Sequence, residues 1–135
     1  MLAVSSGQNL IDDAWEAADM TVQLPDSLGP RFFEMHGPMP LYHENKRGYH
    51  RHYMRGKALL KRGETTLGTY TKDISRKGIG LLSPIPLLPL ERVDLILPNG
   101  STLYLEMARC RRVDKNCFDC GARFALGSKS PQPSH

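Results

Sequence analysis

The chain has 135 residues, 40% hydrophobic and 24% charged. That is enough for one domain with a modest core, and too ordinary a composition for a chain disordered throughout. No apolar run approaches the roughly 20 residues of a membrane-spanning helix, and the N-terminus, MLAVSSGQNL, lacks the basic start and apolar centre of a secretory signal. The formal net charge of +4 is unevenly divided: residues 1–40 set six acids (Asp12, Asp13, Glu16, Asp19, Asp26, Glu34) against Arg31, a net of −5, and the remainder carries +9. A basic body suits an anionic partner such as a nucleotide, a nucleic acid or an acidic lipid headgroup.

In chain order, residues 9–22 read as a short amphipathic helix with Leu10, Ala14 and Ala17 near one face and Ile11, Trp15 and Ala18 beside them. Trp15 reads as the anchor of that helix. Residues 24–40, with four prolines and two glycines, read as a linker. From residue 56 the pattern changes to strands, at 56–63, 66–74, 78–83, 92–97, 102–113 and 117–126. Val93, Leu95 and Leu97 share one face of the fourth strand; Leu103, Leu105 and Met107 do so in the fifth, and Phe118, Cys120, Ala122 and Phe124 in the sixth. Six short strands joined mostly by tight turns predict a mainly β fold, a small antiparallel barrel that leaves no open edges, preceded by one short helix. The expected organisation is an acidic extension over 1–40, a barrel domain with a basic leader over 41–127, and a disordered tail over 128–135.

The three cysteines, at 110, 117 and 120, are odd in number and accompany no secretion signal, which predicts reduced thiols and a cytoplasmic protein. Cys117 and Cys120 form C-x-x-C, but on a strand positions three apart face opposite ways, and no further ligands lie at zinc spacing. Buried thiols are the plainer reading, and neither a metal nor a cofactor is expected. No nucleophile–base constellation or phosphate-binding loop suggests an enzyme.

Between residues 46 and 62 stand seven lysines or arginines, two histidines and no acid. Arg47, Arg51 and Arg55 step through this run at intervals of four. In a chain with 11 arginines, one Arg-x-x-x-Arg is expected about once by chance. A second feature adds weight: DISRKG, residues 73–78, places Asp73, Ser75 and Gly78 in the pattern D-x-S-x-x-G at a strand end, a triple expected by chance about one time in twenty. Asp73 and Ser75 could equally cap the turn there, but a turn cap does not explain the arginines.

Together the two motifs resemble the PilZ domain, a bacterial receptor module for cyclic di-GMP. The resemblance runs over roughly 44–126 and includes the "LPNG" turn and the closing Gly121-x-x-Phe124. It implies a PilZ-type barrel in which Arg47 and Arg51, then Asp73, Ser75 and Gly78, form the two halves of a cyclic di-GMP site. Arg55, almost on the first strand, is then a spare cation expected to pair with a carboxylate. Lys46, His50, Arg76 and Lys77 are candidates for further phosphate contacts. The chemistry is apt. A guanidinium fork matches guanine O6 and N7 or a phosphate, a carboxylate accepts from guanine N1–H and the N2 amine, and a glycine permits close backbone approach. The implied function is a non-catalytic receptor that changes conformation on binding and regulates a protein partner in trans. The alternatives are a nucleic-acid-binding barrel, suggested by Tyr42, Tyr49, Tyr53 and Tyr70 among the cations, and a PilZ-like protein-interaction domain that binds no nucleotide.

Overall fold

A computed structural model describes residues 10–38 and 51–125 of the chain. In chain order the elements are a helix over 10–16 (α1), β1 (Met20–Thr21), a 3-10 turn (Pro30–Glu34), β2 (Gly37–Pro38), β3 (His52–Arg62), β4 (Thr65–Ile74), β5 (Gly78–Ser83), β6 (Arg92–Ile96), β7 (Thr102–Asp114) and β8 (Cys117–Phe124). Strands β3 to β8 form a closed antiparallel barrel in the order β3-β4-β5-β8-β7-β6, with β6 returning to pair with β3. The fold is mainly β, a six-stranded barrel with one short N-terminal helix. The strand starting near residue 56 begins at His52, because residues 52–57 find partners in the far half of β4 and in β2.

The alternating residues close the barrel from within. Val93, Leu95, Leu105, Met107, Cys120 and Ala122 meet Ala58, Leu60, Leu67, Ile79 and Leu81 in one buried core, with Leu97, Leu103, Phe118 and Phe124 packed against it. At roughly 25 cal/mol for each Å² of apolar surface withdrawn from water, this interior is the main source of the barrel's stability.

A second core lies outside the barrel wall. Ile11, Trp15, Val22 and Phe32 from the N-terminal segment cover Leu59, Leu82 and Cys117 on the strands' outer faces. Trp15 Nε1 donates to the carbonyl of Thr69 at 2.8 Å, and its ring stacks on Tyr70 at 5.2 Å. Gly68 makes room for it, since a Cβ there would stand 2.9 Å from the indole. Trp15 is thus the anchor expected of it, but the helix is shorter than 9–22. Helical spacing yields at residue 19, where the backbone pairs with β4: Asp19 N–H donates to Thr66 O at 2.9 Å and Val22 N–H to Gly68 O at 2.9 Å. The Pro-rich stretch expected as a linker also packs, with Phe32 buried and β2 running beside His52 and Tyr53. Lys57 ties the acidic helix down by ion pairs to Asp12 at 3.3 Å and Glu16 at 3.9 Å. Among the described residues, no helix is long and apolar enough to cross a membrane. The tail expected over 128–135 lies outside the described residues.

Candidate ligand-binding site

The second motif sits at the β4–β5 hairpin. Ser75 stitches its turn: the Ser75 N–H donates to Gly78 O at 2.9 Å, and the Ser75 hydroxyl accepts from the Lys77 N–H at 3.1 Å. This is the turn-capping role that the sequence also allowed.

Asp73 is placed by a β-bulge. Thr71 pairs with Leu81 and Asp73 with Gly80, so Lys72 is the extra residue. Directly paired residues share a face of the sheet. Leu81 and Ile79 point into the barrel, so Gly80 and its partner Asp73 face outward. The carboxylate lies over Gly80, its Oδ1 only 3.1 Å from where a Cβ would stand.

Arg51 approaches from the residue just before β3. Its Nε donates to Asp73 Oδ1 at 3.0 Å, its Nη2 donates to the same oxygen, and its Nη1 reaches Ser75 Oγ at 3.5 Å, the limit of hydrogen-bond range. The pair is shielded, with side chains 11% and 12% exposed. Both strong bonds fall on Oδ1, and no described residue donates to Oδ2. Arg51 therefore joins the D-x-S-x-x-G loop 22 residues away in sequence, which is the conjunction the two motifs suggested. Arg47, Lys46 and His50 lie outside the described residues. Arg76 and Lys77 are both exposed at the turn.

Arg55 differs from expectation. It pairs with no carboxylate among the described residues; it donates instead to Phe32 O at 3.3 Å and Lys72 O at 3.4 Å, and it lies over the rings of Phe32 at 4.2 Å and Tyr53 at 4.9 Å. Burial lowers its pKa, opposed by the nearby Tyr53 and Asp73. The physical reason is local: the 3-10 turn presents an outward carbonyl and an aromatic face together, which suit a planar guanidinium as well as a carboxylate does.

Gly78 is demanded by the sheet. A Cβ there would meet Ala122 O at 2.0 Å and Arg123 Cα at 2.8 Å, so β5 and β8 can approach only without it. The close approach that this glycine permits in the structure is to the backbone of β8.

Beyond Gly78 the outer surface opens into a recess of about 230 Å³. Arg51, Lys77, Arg109, Gly121 and Arg123 are among the residues that line it. Neither Arg109 nor Arg123 stood out in the sequence. Strict alternation puts Arg109 inside the barrel with Leu105 and Met107. A bulge at Ala108, between the Met107–Ala122 and Arg109–Gly121 pairs, turns it outward. The one available signal was the poor fit of an arginine to a core position.

The cysteines lie as strand geometry required. Cys117 belongs to the outer core and Cys120 to the barrel interior, on opposite faces of β8.

No curated protein sequence matches the chain significantly. The family description of the PilZ domain matches residues 45–132, more than half the chain, spanning every strand of the barrel together with Arg51, Asp73, Ser75 and Gly78. With barrel order, motif spacing and this match in agreement, the chain belongs to the PilZ domain family.

Proposed function

We propose that this protein is a non-catalytic cyclic di-GMP receptor that regulates a separate effector. The observation that carries the reading is the meeting of Arg51 with Asp73 and Ser75 on the outer face of the barrel. Guanine N1–H and the N2 amine need an acceptor, and Asp73 Oδ2 is available for them while Arg51 holds Oδ1. Arg51 orients the carboxylate and turns its remaining N–H groups toward the ligand's O6/N7 edge or a phosphate. Arg47, four residues earlier in sequence, would complete the clamp, with Lys46, His50, Arg76 and Lys77 as further cations for the two phosphates.

Signal transmission follows from the chain's own connectivity. Arg55 lies four residues beyond Arg51 and is bonded to the Phe32 carbonyl. A ligand that draws in the 41–51 leader would therefore pull on the segment that holds the acidic N-terminal extension. Such an order change in one segment, read by a partner, is a known form of switch. The nucleic-acid alternative loses one of its stacking platforms: Tyr70 is packed against Trp15 and Phe33.

Calorimetric titration tests the reading, with cyclic di-GMP as ligand and GTP as control. Wild type should bind the cyclic dinucleotide selectively. Arg51→Ala should weaken it roughly tenfold or more, the scale of one lost bidentate base contact, while circular dichroism shows an intact barrel. Absence of binding by wild type would refute the receptor reading.

A further inference from the structure

Two of the three thiols meet inside the barrel. Cys110 on β7 and Cys120 on β8 are direct cross-strand partners. Directly paired residues share a face of the sheet, and here it is the inner one: Cys120 belongs to the barrel core and Cys110 packs against it. Their sulfurs stand 3.3 Å apart, with the Cys120 thiol donating to Cys110 Sγ. The Leu87 N–H donates to the same Cys110 sulfur at 3.4 Å, which helps to hold it in place. Cys117 has no part in this pair, since it lies in the outer core on the opposite face of β8.

We infer that Cys110 and Cys120 are a reversible redox pair that closes to a cross-strand disulfide when the chain meets a peroxide. Paired residues of antiparallel strands have Cα atoms about 4.5 or 5.5 Å apart, inside the roughly 4.4–6.8 Å that a disulfide spans. The strands therefore keep their register, and the sulfurs close by about 1 Å to reach a bond of about 2.05 Å. Accessibility divides the roles. Cys110 is half-buried and Cys120 buried, and burial raises the Cys120 pKa, so Cys110 meets the oxidant first. Its sulfur takes one peroxide oxygen as the O–O bond breaks; the departing hydroxide takes the thiol proton as water and a sulfenic acid remains. The Cys120 sulfur then attacks that of Cys110. The S–S bond forms, the S–O bond breaks, and hydroxide leaves with the Cys120 proton as a second water. Two thiols have lost two electrons, and one peroxide has become two waters. A dithiol reductant reverses the change by exchange. The bond fastens β7 to β8 just beyond the bulge at Ala108.

The test is mild hydrogen peroxide treatment of the reduced full chain, followed by thiol alkylation in denaturant and mass spectrometry. Wild type should go from three alkylated cysteines to one, Cys117, as a monomer that recovers all three with dithiothreitol. Cys117→Ala should still close the bond, whereas Cys110→Ala and Cys120→Ala should form none within the chain. Oxidised wild type should melt roughly 5–10 °C above the reduced form, because the bond closes a loop in the unfolded chain. Peptide mapping of wild type decides the pairing even where a variant folds poorly. Thiols that stay alkylatable after peroxide overturn the redox pair. So does a Cys110 that gains oxygen without cross-linking, a bond to Cys117 or to a second chain, or an oxidised form that melts no higher. None of these outcomes depends on nucleotide binding, so the receptor reading is tested separately.

Discussion

A methyl group added at position 78 would stand 2.0 Å from a backbone oxygen of β8, whereas one added at position 80 would meet only the carboxylate tip of Asp73 at 3.1 Å. These two outward glycines of β5 therefore predict different outcomes. Gly78→Ala should cost about 3 kcal/mol, at the upper end of overpacking penalties, because main chain must move. Gly80→Ala should cost under about 1 kcal/mol, because a side chain can turn aside. Urea denaturation of both variants checks the contrast; equal costs would mean that the β5–β8 approach is looser than described. The motif glycine thus has a structural duty that holds whether or not ligand binds. At this scale the identities of Arg51, Asp73 and Ser75 were legible, since a guanidinium, a carboxylate and a hydroxyl at those spacings have few shared uses. Their directions were not.

Between elements, the decisive contact is α1 on the barrel's outer wall. Trp15 is buried at 5% exposure, stacks on Tyr70, carries Lys57 over its ring at 4.8 Å and bonds to β4. Trp15→Ala should cost about 3 kcal/mol, as for other large-to-small core changes, and should release residues 10–38 from β4 before the barrel melts. Limited proteolysis shows this as early cleavage ahead of residue 38 with the barrel left intact. A variant cleaved no faster than wild type would show that Phe32 and the Arg55 contacts hold the segment unaided. The helix was legible from its apolar spacing, but its end was not. Asp19 to Val22 give up helical bonds because the N-terminal half of β4, which pairs with β5 only from Tyr70 onward, offers its backbone there.

Across the whole molecule, two cores share one barrel wall, and thiols sit in both. Burial raises the pKa of Cys117, with Asp119 and Asp114 adding to it, and raises that of Cys120, with the Cys110 thiol adding to it; burial likewise raises that of Tyr70. Folding therefore favours the protonated forms. Their contribution to stability is complete below the ordinary thiol value of 9.0 and is lost as pH rises from there through the folded values. Melting temperature in reducing buffer should hold level from pH 7 to about 8.5 and decline above about 9, and Cys120→Ala should decline less steeply from its own lower starting point. An equally steep decline in that variant would assign the alkaline loss to other groups.

The sequence by itself determined the barrel and the family. Alternation of apolar residues with turn signals between them is a local property, and each strand carries enough of it to declare its inward face. The two motifs are likewise local, each written within five or six residues. Tertiary structure alone decided which way the working side chains point. Asp73 and Arg109 both stand at positions that strict alternation assigns to the interior, and in each case one extra residue, Lys72 or Ala108, turns the next side chain outward. A bulge depends on how two strands register against each other, and register is set by contacts between residues far apart in the chain. For the same reason Gly80 and Gly121 acquire meaning only as partners: neither is notable alone, and side by side they leave bare backbone between Asp73, which lies over Gly80, and Arg109, which lies over Gly121.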